Sequence, residues 1–271
     1  MIQVDAVVLA GAKNTGRLRE MDGSYYEASI KIAGRPMVYY VLDALAAVPE
    51  IRRIMVAAPS GAFPDDQGNW HGKVSFTAAG DSLLENIRRG IKALNTSAKV
   101  LIVTSDIPLL NPGAVSDFIL RCQEREADVY YPIISRDVND HEFPGVKRTY
   151  FRLREGVFTG GNMALISPQI FEAYQPIIEQ AIAMRKNPWK LSRLLGIKFI
   201  FKFMLKQLSI GEIESRVEDV LQLRGVGVIS PYPQVGIDVD KPSDLQLARQ
   251  VLEGVDCAAG DPMKGTDLHY H

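Results

Sequence analysis

Residues 2–17 read IQVDAVVLAGAKNTGR. The apolar, β-branched run Ile2–Ala10 is interrupted by Asp5 and stops at Gly11, which suits a short buried strand. Glycines that follow a strand allow backbone N–H groups to approach a phosphate closely. We therefore predict a first strand followed by a phosphate-binding loop, to which Lys13 and Arg17 add positive charge.

The same alternation of strand and helix patterns continues along the chain. Short β-branched runs predict strands at Ile54–Ala58, Val74–Thr77, Val100–Thr104 and Val129–Ile134. Apolar residues at three- and four-residue spacing predict helices at Pro36–Val48, Ser82–Leu94 and Pro112–Glu126. Strands that alternate with helices of this length form βαβ units. The pattern predicts an α/β fold with a mostly parallel, Rossmann-like sheet and helices on both faces.

The alternation changes after Gly161. Residues 168–223 have an almost wholly helical pattern, strand patterns return at Val226–Ser230 and Val235–Val239, and Pro242–Leu252 forms a final helix. We predict one domain over residues 1–253 with a helical insertion at about 168–224. Residues 254–271 are expected to form a flexible tail.

The composition indicates an ordinary enzyme-sized α/β protein. The chain has 271 residues, is 46% hydrophobic and has a formal net charge of -1, so no overall charge attracts it to nucleic acid. Cys122 and Cys257 belong to no metal-binding pattern and suggest no disulfide framework. No apolar run approaches the roughly 20 residues of a membrane-spanning helix. We expect a cytoplasmic protein.

Carboxylates follow two of the predicted strands. Asp106 comes directly after the run Val100–Thr104, and Pro108 prevents the strand from continuing. Asp238 and Asp240 lie two residues apart in an extended segment, so their side chains should point to the same side. The ends of such strands meet at one sheet edge, and these three carboxylates are predicted to bind Mg²⁺ there.

These residues also have alternative interpretations. Asp106 could cap the next helix, although Asn111 before Pro112 suits that position better. Asp240 could cap the helix that begins at Pro242. The loop from Gly11 to Gly16 has the spacing of a P-loop, but Arg17-Leu18 replaces the required Lys-Ser/Thr, so a simple tight turn is the alternative.

Several short motifs occur in a characteristic order. The chain resembles the nucleotidyltransferases of GT-A-like fold, and is most similar to the molybdenum-cofactor guanylyltransferase-like NTP transferases, over about residues 1–165 and 226–253. The motifs that carry this resemblance are Leu9-Ala10-Gly11 with Arg17, Gly34-Arg35-Pro36-Met37, Gly80-Asp81-Ser82, Ser105-Asp106-Ile107-Pro108, Gly160-Gly161-Asn162 and Asp238-Val239-Asp240-Lys241-Pro242.

The resemblance implies a role for each motif. The first loop, Leu9, Ala10, Gly11, Ala12 and Lys13 with Arg17, would hold the triphosphate of an NTP. Gly80, Asp81 and Ser82 would face the base or ribose, and Asp106 with Asp238 would hold magnesium, with Asp240 beside them. Gly160, Gly161 and Asn162 would border the acceptor. Apart from the resemblance, the acceptor's phosphate needs cations, and Lys147 and Arg148 follow a predicted loop at Asp137–Gly145. These two residues could equally lie on a solvated strand face.

One departure from the family pattern concerns charge. The family has a lysine eight residues before the basic residue of its Gly-Lys/Arg-Pro motif, and that position in this chain is Glu27. A glutamate there reverses the charge beside the leaving pyrophosphate. We expect Arg17, Lys13 or Lys31 to replace the missing lysine. Arg17, Lys31 and Asp106 are therefore the predicted catalytic residues.

The predicted reaction is magnesium-dependent transfer of NMP from an NTP to a phosphorylated small-molecule acceptor, with release of pyrophosphate. Two alternatives remain open. A GT-A glycosyltransferase would bind a nucleotide-sugar through Asp238 and Asp240. A non-catalytic nucleotide-binding module is the other alternative, and Glu27 is its motivation.

The segment from residue 184 to 208 combines lysines and arginines with large apolar residues. On a helix this composition gives an apolar face beside a basic face, which is typical of segments that lie on anionic membranes. A helical cap packed on the sheet would have the same pattern. The sequence thus predicts either a packed cap or a peripheral membrane contact.

Overall fold

The computed structural model of the protein describes residues 2–63, 70, 72–171, 173–174 and 197–254. Within these residues the strands are β1 (Val4–Leu9), β2 (Lys31–Ile32), β3 (Arg35–Pro36), β4 (Ile51–Ala58), β5 (Val74–Ala78), β6 (Val100–Thr104), β7 (Val129–Ser135), β8 (Phe151–Leu153), β9 (Gly156–Gly160), β10 (Met163–Ile166) and β11 (Gly225–Ser230). The helices are α1 (Met37–Ala46), α2 (Leu83–Leu94), α3 (Pro112–Arg121), α4 (Arg136–Glu142), α5 (Ile197–Met204), α6 (Ile210–Leu221) and α7 (Pro242–Leu252).

One mixed sheet organises the fold. Its strand order is β5-β4-β1-β6-β10-β7-β9-β8, and β11 pairs with β7. Strands β5, β4, β1 and β6 are mutually parallel, and β11 is parallel to β7. Strand β10 runs antiparallel between β6 and β7. The carboxyl ends of β1, β6 and β7 therefore lie at the same edge of the sheet.

Helices cover both faces of this sheet, as the alternation of patterns predicted. On β1, Val8 belongs to a buried cluster with residues of α1 and α3. Its neighbours Val7 and Leu9 belong to a second cluster, which includes Leu84 and Ile87 of α2. Successive strand residues face opposite ways, so β1 is buried on both sides.

A close contact between α2 and β1 explains why residue 90 is a glycine. A Cβ atom on Gly90 would lie 2.4 Å from Cγ1 of Val7. The helix can therefore pack at its observed depth only if this position lacks a side chain.

Most of the predicted elements are confirmed. Strand β6 and helix α7 have the predicted bounds, and β1, β4, β5, β7, β11, α1, α2 and α3 differ by a few residues at their ends. Within the predicted insertion at 168–224, the described residues include α5 and α6. Residues 175–196, which belong to the same prediction, and the predicted tail beyond residue 254 lie outside the described residues.

Two local predictions were wrong. The segment Val235–Val239 is not a strand: a 3-10 turn spans Pro233–Gly236 and an extended segment without a strand partner follows it. A loop was expected at 137–145, but α4 occupies most of these residues, and the Ser135 side chain caps it by accepting from the Val138 N–H. Strands β8, β9 and β10, which are short and antiparallel, were not predicted from the sequence.

None of the described helices has the length and apolar composition of a membrane-spanning segment.

Candidate active site

The predicted phosphate loop follows β1 and packs closely against a second loop. Leu9 and Ala10 are buried, whereas Ala12, Lys13 and Arg17 are exposed. A Cβ on Gly11 would lie 2.9 Å from the Cβ of Ala79. Position 11 therefore needs a glycine, because the two loops approach each other closely there. The exposed basic residues follow directly in the chain.

A short hairpin-like pairing orders the rest of this loop. Lys13 forms an isolated antiparallel bridge with Tyr26, and the Glu27 N–H donates to the Ala12 carbonyl at 3.0 Å. The buried Asn14 side chain donates to the carbonyls of Asp22 and Ser24, each at 3.1 Å. These bonds hold Glu27 beside the phosphate loop.

The second predicted nucleotide loop, Gly80 to Ser82, is joined to the first through Asn86. The Gly80 N–H donates to Asn86 Oδ1 at 2.6 Å, and Asn86 Nδ2 lies 3.1 Å from the position of a Cβ on Gly11. Ser82 caps α2, because its hydroxyl accepts from the Glu85 N–H at 3.1 Å. The structure thus brings both predicted nucleotide segments together at one end of α2.

The three predicted metal ligands also converge. The Val239 N–H donates to the Asp106 carbonyl at 2.9 Å, which places the segment before α7 against the end of β6. Carboxylate oxygens of Asp106, Asp238 and Asp240 all lie within 4.8 Å of one another. Asp240 does not cap α7, because the N-cap residue of that helix is Lys241.

The electrostatics of this cluster favour a bound cation. Burial, together with the negative charges of Asp238 and Glu27, raises the pKa of Asp106 from its ordinary value of 3.8 to about 6. Burial and the Asp238 charge likewise raise the pKa of Asp240 to about 6. Oδ1 of Asp106 is buried and has no hydrogen-bond partner among the described residues. An acceptor-only cluster of this kind fits a hard divalent cation such as Mg²⁺.

Glu27 belongs to the same electrostatic environment. Burial and the charge of Asp240 raise the pKa of the Glu27 carboxyl group, and Glu27 in turn raises the pKa of Asp106. Glu27, which occupies the position where the resemblance implied a lysine, therefore brings a fourth negative charge towards the aspartates.

Arg148 supplies positive charge to the cluster. Its guanidinium forms an ion pair with Asp238 and donates to the carbonyl of Gly236. The side chains of Arg148 and Asp238 are only 12% and 16% exposed. Arg148 is thus held against a predicted metal ligand, and its predicted role in acceptor binding stays a prediction. Lys147 is exposed.

The predicted acceptor turn, Gly160 to Asn162, is bonded to Thr104 at the end of β6, two residues before Asp106. The Thr104 N–H donates to the Asn162 carbonyl at 3.1 Å, and the Asn162 N–H donates to the Val235 carbonyl at 2.8 Å. A Cβ on Gly160 would lie 2.4 Å from the Tyr131 hydroxyl oxygen, so a side chain here would displace Tyr131. Nδ2 of Asn162 is buried without a hydrogen-bond partner among the described residues.

The predicted catalytic residue Lys31 lies on a separate strand pair, β2 and β3, and not on the main sheet that carries Asp106. It lies exposed on β2, its backbone N–H donates to Asp22 Oδ2 at 3.2 Å, and its carbonyl accepts from Arg249 at 3.1 Å. Its role, like those of Lys13 and Arg17, stays a prediction.

Two asparagines that organise the site were missed in the sequence. Asn14 orders the phosphate loop and Asn86 joins the two nucleotide loops; both are buried. For Asn86 a signal existed, because it is a polar residue on the apolar face of the predicted helix Ser82–Leu94. Asn14 lies between basic and polar loop residues, where nothing distinguishes it from an exposed residue.

The chain is similar to known proteins in both sequence and fold. Residues 6–186 match the family model of the MobA-like NTP transferase domain. A hypothetical transferase from Thermus thermophilus is similar over 90% of this chain and 100% of its own, with 35% identity and a TM-score of 0.76. No curated protein matches the chain.

Two more distant structures share the fold. A 2-C-methyl-D-erythritol 4-phosphate cytidylyltransferase, also from Thermus thermophilus, has 17% identity and a TM-score of 0.55, with coverage of 93% of this chain and 100% of its own. A CMP:2-keto-3-deoxy-manno-octonic acid synthetase in complex with CTP has 12% identity and a TM-score of 0.56, with coverage of 94% and 99%. Since the family model spans most of the chain, the protein belongs to the MobA-like NTP transferase family of nucleotidyltransferases.

Proposed function

We propose that this protein transfers a nucleoside monophosphate from an NTP to a phosphorylated small-molecule acceptor and releases pyrophosphate, in a reaction that requires Mg²⁺. The observation that carries the proposal is the convergence of Asp106, Asp238 and Asp240, whose carboxylate oxygens lie within 4.8 Å of one another. They lie at the edge of the sheet where α/β folds bind their ligands.

The aspartates fit a magnesium ion in both charge and ligand type. All three offer oxygen, the element that Mg²⁺ prefers. A cation would offset both the burial and the repulsion that raise the pKa values of Asp106 and Asp240. When bound, magnesium would neutralise negative charge on the phosphates during transfer.

The loops provide the remaining contacts to the nucleotide. Backbone N–H groups after Gly11, with the exposed Lys13 and Arg17, would bind the triphosphate through hydrogen bonds and charge. Gly80 to Ser82 would border the nucleoside, because Asn86 holds this loop against the first one. Both segments are ordered by contacts within the protein, so little ordering would be needed when the nucleotide binds.

The acceptor would bind near the Gly160–Asn162 turn. The exposed Lys147 would add positive charge for the acceptor's phosphate. A phosphate oxygen of the acceptor is already anionic when it attacks the α-phosphorus, so no general base is needed. Arg17 and Lys31 are the basic residues that we assign to the leaving pyrophosphate.

Thermal unfolding with ATP, CTP, GTP and UTP, with and without Mg²⁺, is the direct test. A ligand at 100 times its dissociation constant adds about 2.7 kcal/mol of stability. In a chain of this size that corresponds to a rise of roughly 5 °C or more in the unfolding midpoint. CTP belongs in the panel because two structures of the same fold are named for cytidylyl chemistry. The proposal would be contradicted if none of the four NTPs raised the unfolding midpoint in the presence of Mg²⁺.

One observation favours a second candidate, a nucleotide-binding module without catalysis. Glu27 carries negative charge towards the aspartates where the family carries a lysine. Such a module would be stabilised by an NTP and Mg²⁺ but would release no pyrophosphate with any acceptor. Pyrophosphate release, measured across a panel of sugar phosphates and cofactor phosphates, therefore separates the two functions.

A further inference from the structure

A large apolar cavity lies outside the nucleotide site. Its volume is about 590 Å³, which lies within the range of roughly 300–1,000 Å³ for small-molecule sites. It lies on the sheet face that α2 covers, between α2 and α6. Representative lining residues are Leu84, Ile102, Tyr131, Phe151, Ile213 and Val217.

The lining has almost no free polar group. Glu214 is the only charged residue among the described residues that line the cavity, and its carboxylate is bound to Arg125 and to the Gly227 N–H. The hydroxyl of Tyr131 donates to the Gly161 carbonyl at 2.7 Å. A polar ligand would lose hydrogen bonds to water on entry and gain none here, whereas a hydrocarbon would lose nothing. The chemistry of the lining therefore selects an apolar chain.

Helix α5 connects this cavity to a surface suited to lipid. Phe199 of α5 packs in one cluster with Phe151, Ile210 and Ile213, all of which line the cavity. Phe203 and Met204 at the other end of α5, and Leu205 directly after it, are 43%, 70% and 64% exposed. Lys202 and Lys206 flank them and are exposed, and Lys202 also forms an ion pair with Glu212 of α6. Apolar side chains flanked by lysines suit contact with an anionic lipid layer, because the lysines face the head groups and the apolar side chains face the hydrocarbon. Such a layer also contains the hydrocarbon chains that the cavity would bind.

We propose that this cavity binds the hydrocarbon chain of a lipid, with the polar head outside. The proposal goes beyond nucleotidyl transfer and needs neither an NTP nor a metal. Its failure would leave the proposed transferase reaction untouched.

Binding is measured by fluorescence titration of the protein with dansylaminoundecanoate, without nucleotide and below the concentration at which the probe aggregates. Decanoate, dodecanoate and tetradecanoate then compete with the probe. If the chain is buried, affinity should rise about tenfold for each two-carbon step. Decanol and dodecanol should compete as well as the carboxylates do, because the cavity binds the chain and not the head.

A matched pair of variants tests whether the hydrocarbon chain of the probe binds inside the cavity. Val217 and Val220 are both half-buried on α6, but of the two only Val217 lines the cavity. Val217→Asp should weaken probe binding at least about tenfold, since it puts a charge into the apolar lining, and Val220→Asp should not. Circular dichroism and the unfolding midpoint verify that both variants are folded. If Val217→Asp does not fold, Ala164→Leu replaces it, and this variant should shorten the longest chain that binds tightly.

Three results would overturn the proposal. The wild-type protein could show no saturable probe binding, which would mean that the cavity is filled or closed in solution. The two aspartate variants could bind the probe equally well. Carboxylates could compete while the alcohols do not, which would indicate binding to surface lysines.

Discussion

The backbone N–H of Val239 donates to the carbonyl of Asp106 at 2.9 Å. Val239 is 1% exposed, so its side chain is buried in the core while the two neighbouring aspartates project the other way. This hydrogen bond joins the end of β6 to the segment before α7. The carboxylate cluster therefore depends on a backbone contact between two segments that are far apart in the chain.

Asp106→Asn should abolish the stabilisation that Mg²⁺ and an NTP give together, because it removes a buried negative charge from the cluster. Asp240→Asn should weaken the same effect less, since Asp240 is more exposed than Asp106. The measurement is the unfolding midpoint with nucleotide, with and without Mg²⁺. Asp219→Asn, at an exposed position of α6, is the control and should behave like the wild type. Full magnesium-linked stabilisation of Asp106→Asn would show that the metal lies elsewhere.

Asp106→Asn should also make the metal-free protein more stable near neutral pH. The folded-state pKa of Asp106 is raised from 3.8 to about 6, so the folded state binds this proton more tightly than the unfolded state does. The wild type therefore loses stability as the pH rises between these values, by up to about 3 kcal/mol. We expect the variant to melt several degrees higher than the wild type at pH 7.5 with a chelator, and the difference to close near pH 4. A difference independent of pH would contradict this explanation.

Glu27→Lys should tighten NTP binding, because it replaces a negative charge near the aspartates by a positive one. If the site is weakened by Glu27, the same change should raise the rate of pyrophosphate release. Isothermal titration and a pyrophosphate assay measure the two effects. Glu20→Lys is the control, since it makes the same change of charge at an exposed position of the 3-10 turn Arg17–Glu20. Equal affinities for wild type and Glu27→Lys would show that Glu27 does not face the nucleotide.

Arg148→Met should destabilise the metal-free protein by about 3 kcal/mol, because it leaves the mostly buried Asp238 without its cation. Magnesium should restore part of that loss by supplying positive charge to the same carboxylate. Chemical denaturation with and without Mg²⁺ tests both statements. Arg136→Met, which breaks an exposed pair with Asp140, should cost less than about 1 kcal/mol. Equal losses for the two arginine variants would argue against a special role for the Arg148–Asp238 pair.

Variants at the exposed end of α5 can test whether residues 184–208 contact a membrane, which the sequence left open. We expect the protein to sediment with anionic vesicles at low salt, and not with neutral ones, because lysines near an anionic surface contribute about 1 kcal/mol each. Met204→Ser with Leu205→Ser should reduce this binding. Leu120→Ser, at a 51% exposed position on α3, is the control. Binding that is absent at low salt, or that the α5 variants do not change, would favour a packed cap. The basic residues of 184–196 lie outside the described residues.

Much of the fold follows from local patterns in the sequence. Runs such as Val100–Thr104 predict buried strands because a strand covered on both faces needs apolar residues at every position. The helix Pro242–Leu252 begins at a proline, whose fixed φ suits the first helical turn. The antiparallel strands β8, β9 and β10 could not be predicted in this way. They have three to five residues each, and their pairing depends on contacts across the sheet.

The sequence by itself determined the types of residue in the site: a glycine loop with basic residues, a second glycine loop and three aspartates after strand-like segments. Their order along the chain was enough to indicate nucleotidyl transfer. Only the tertiary structure decided which charged side chains lie close together. It set Arg148 against Asp238 and brought Glu27 towards Asp106 and Asp240. Electrostatic energies depend on distance and burial, and neither can be read from spacing along the chain.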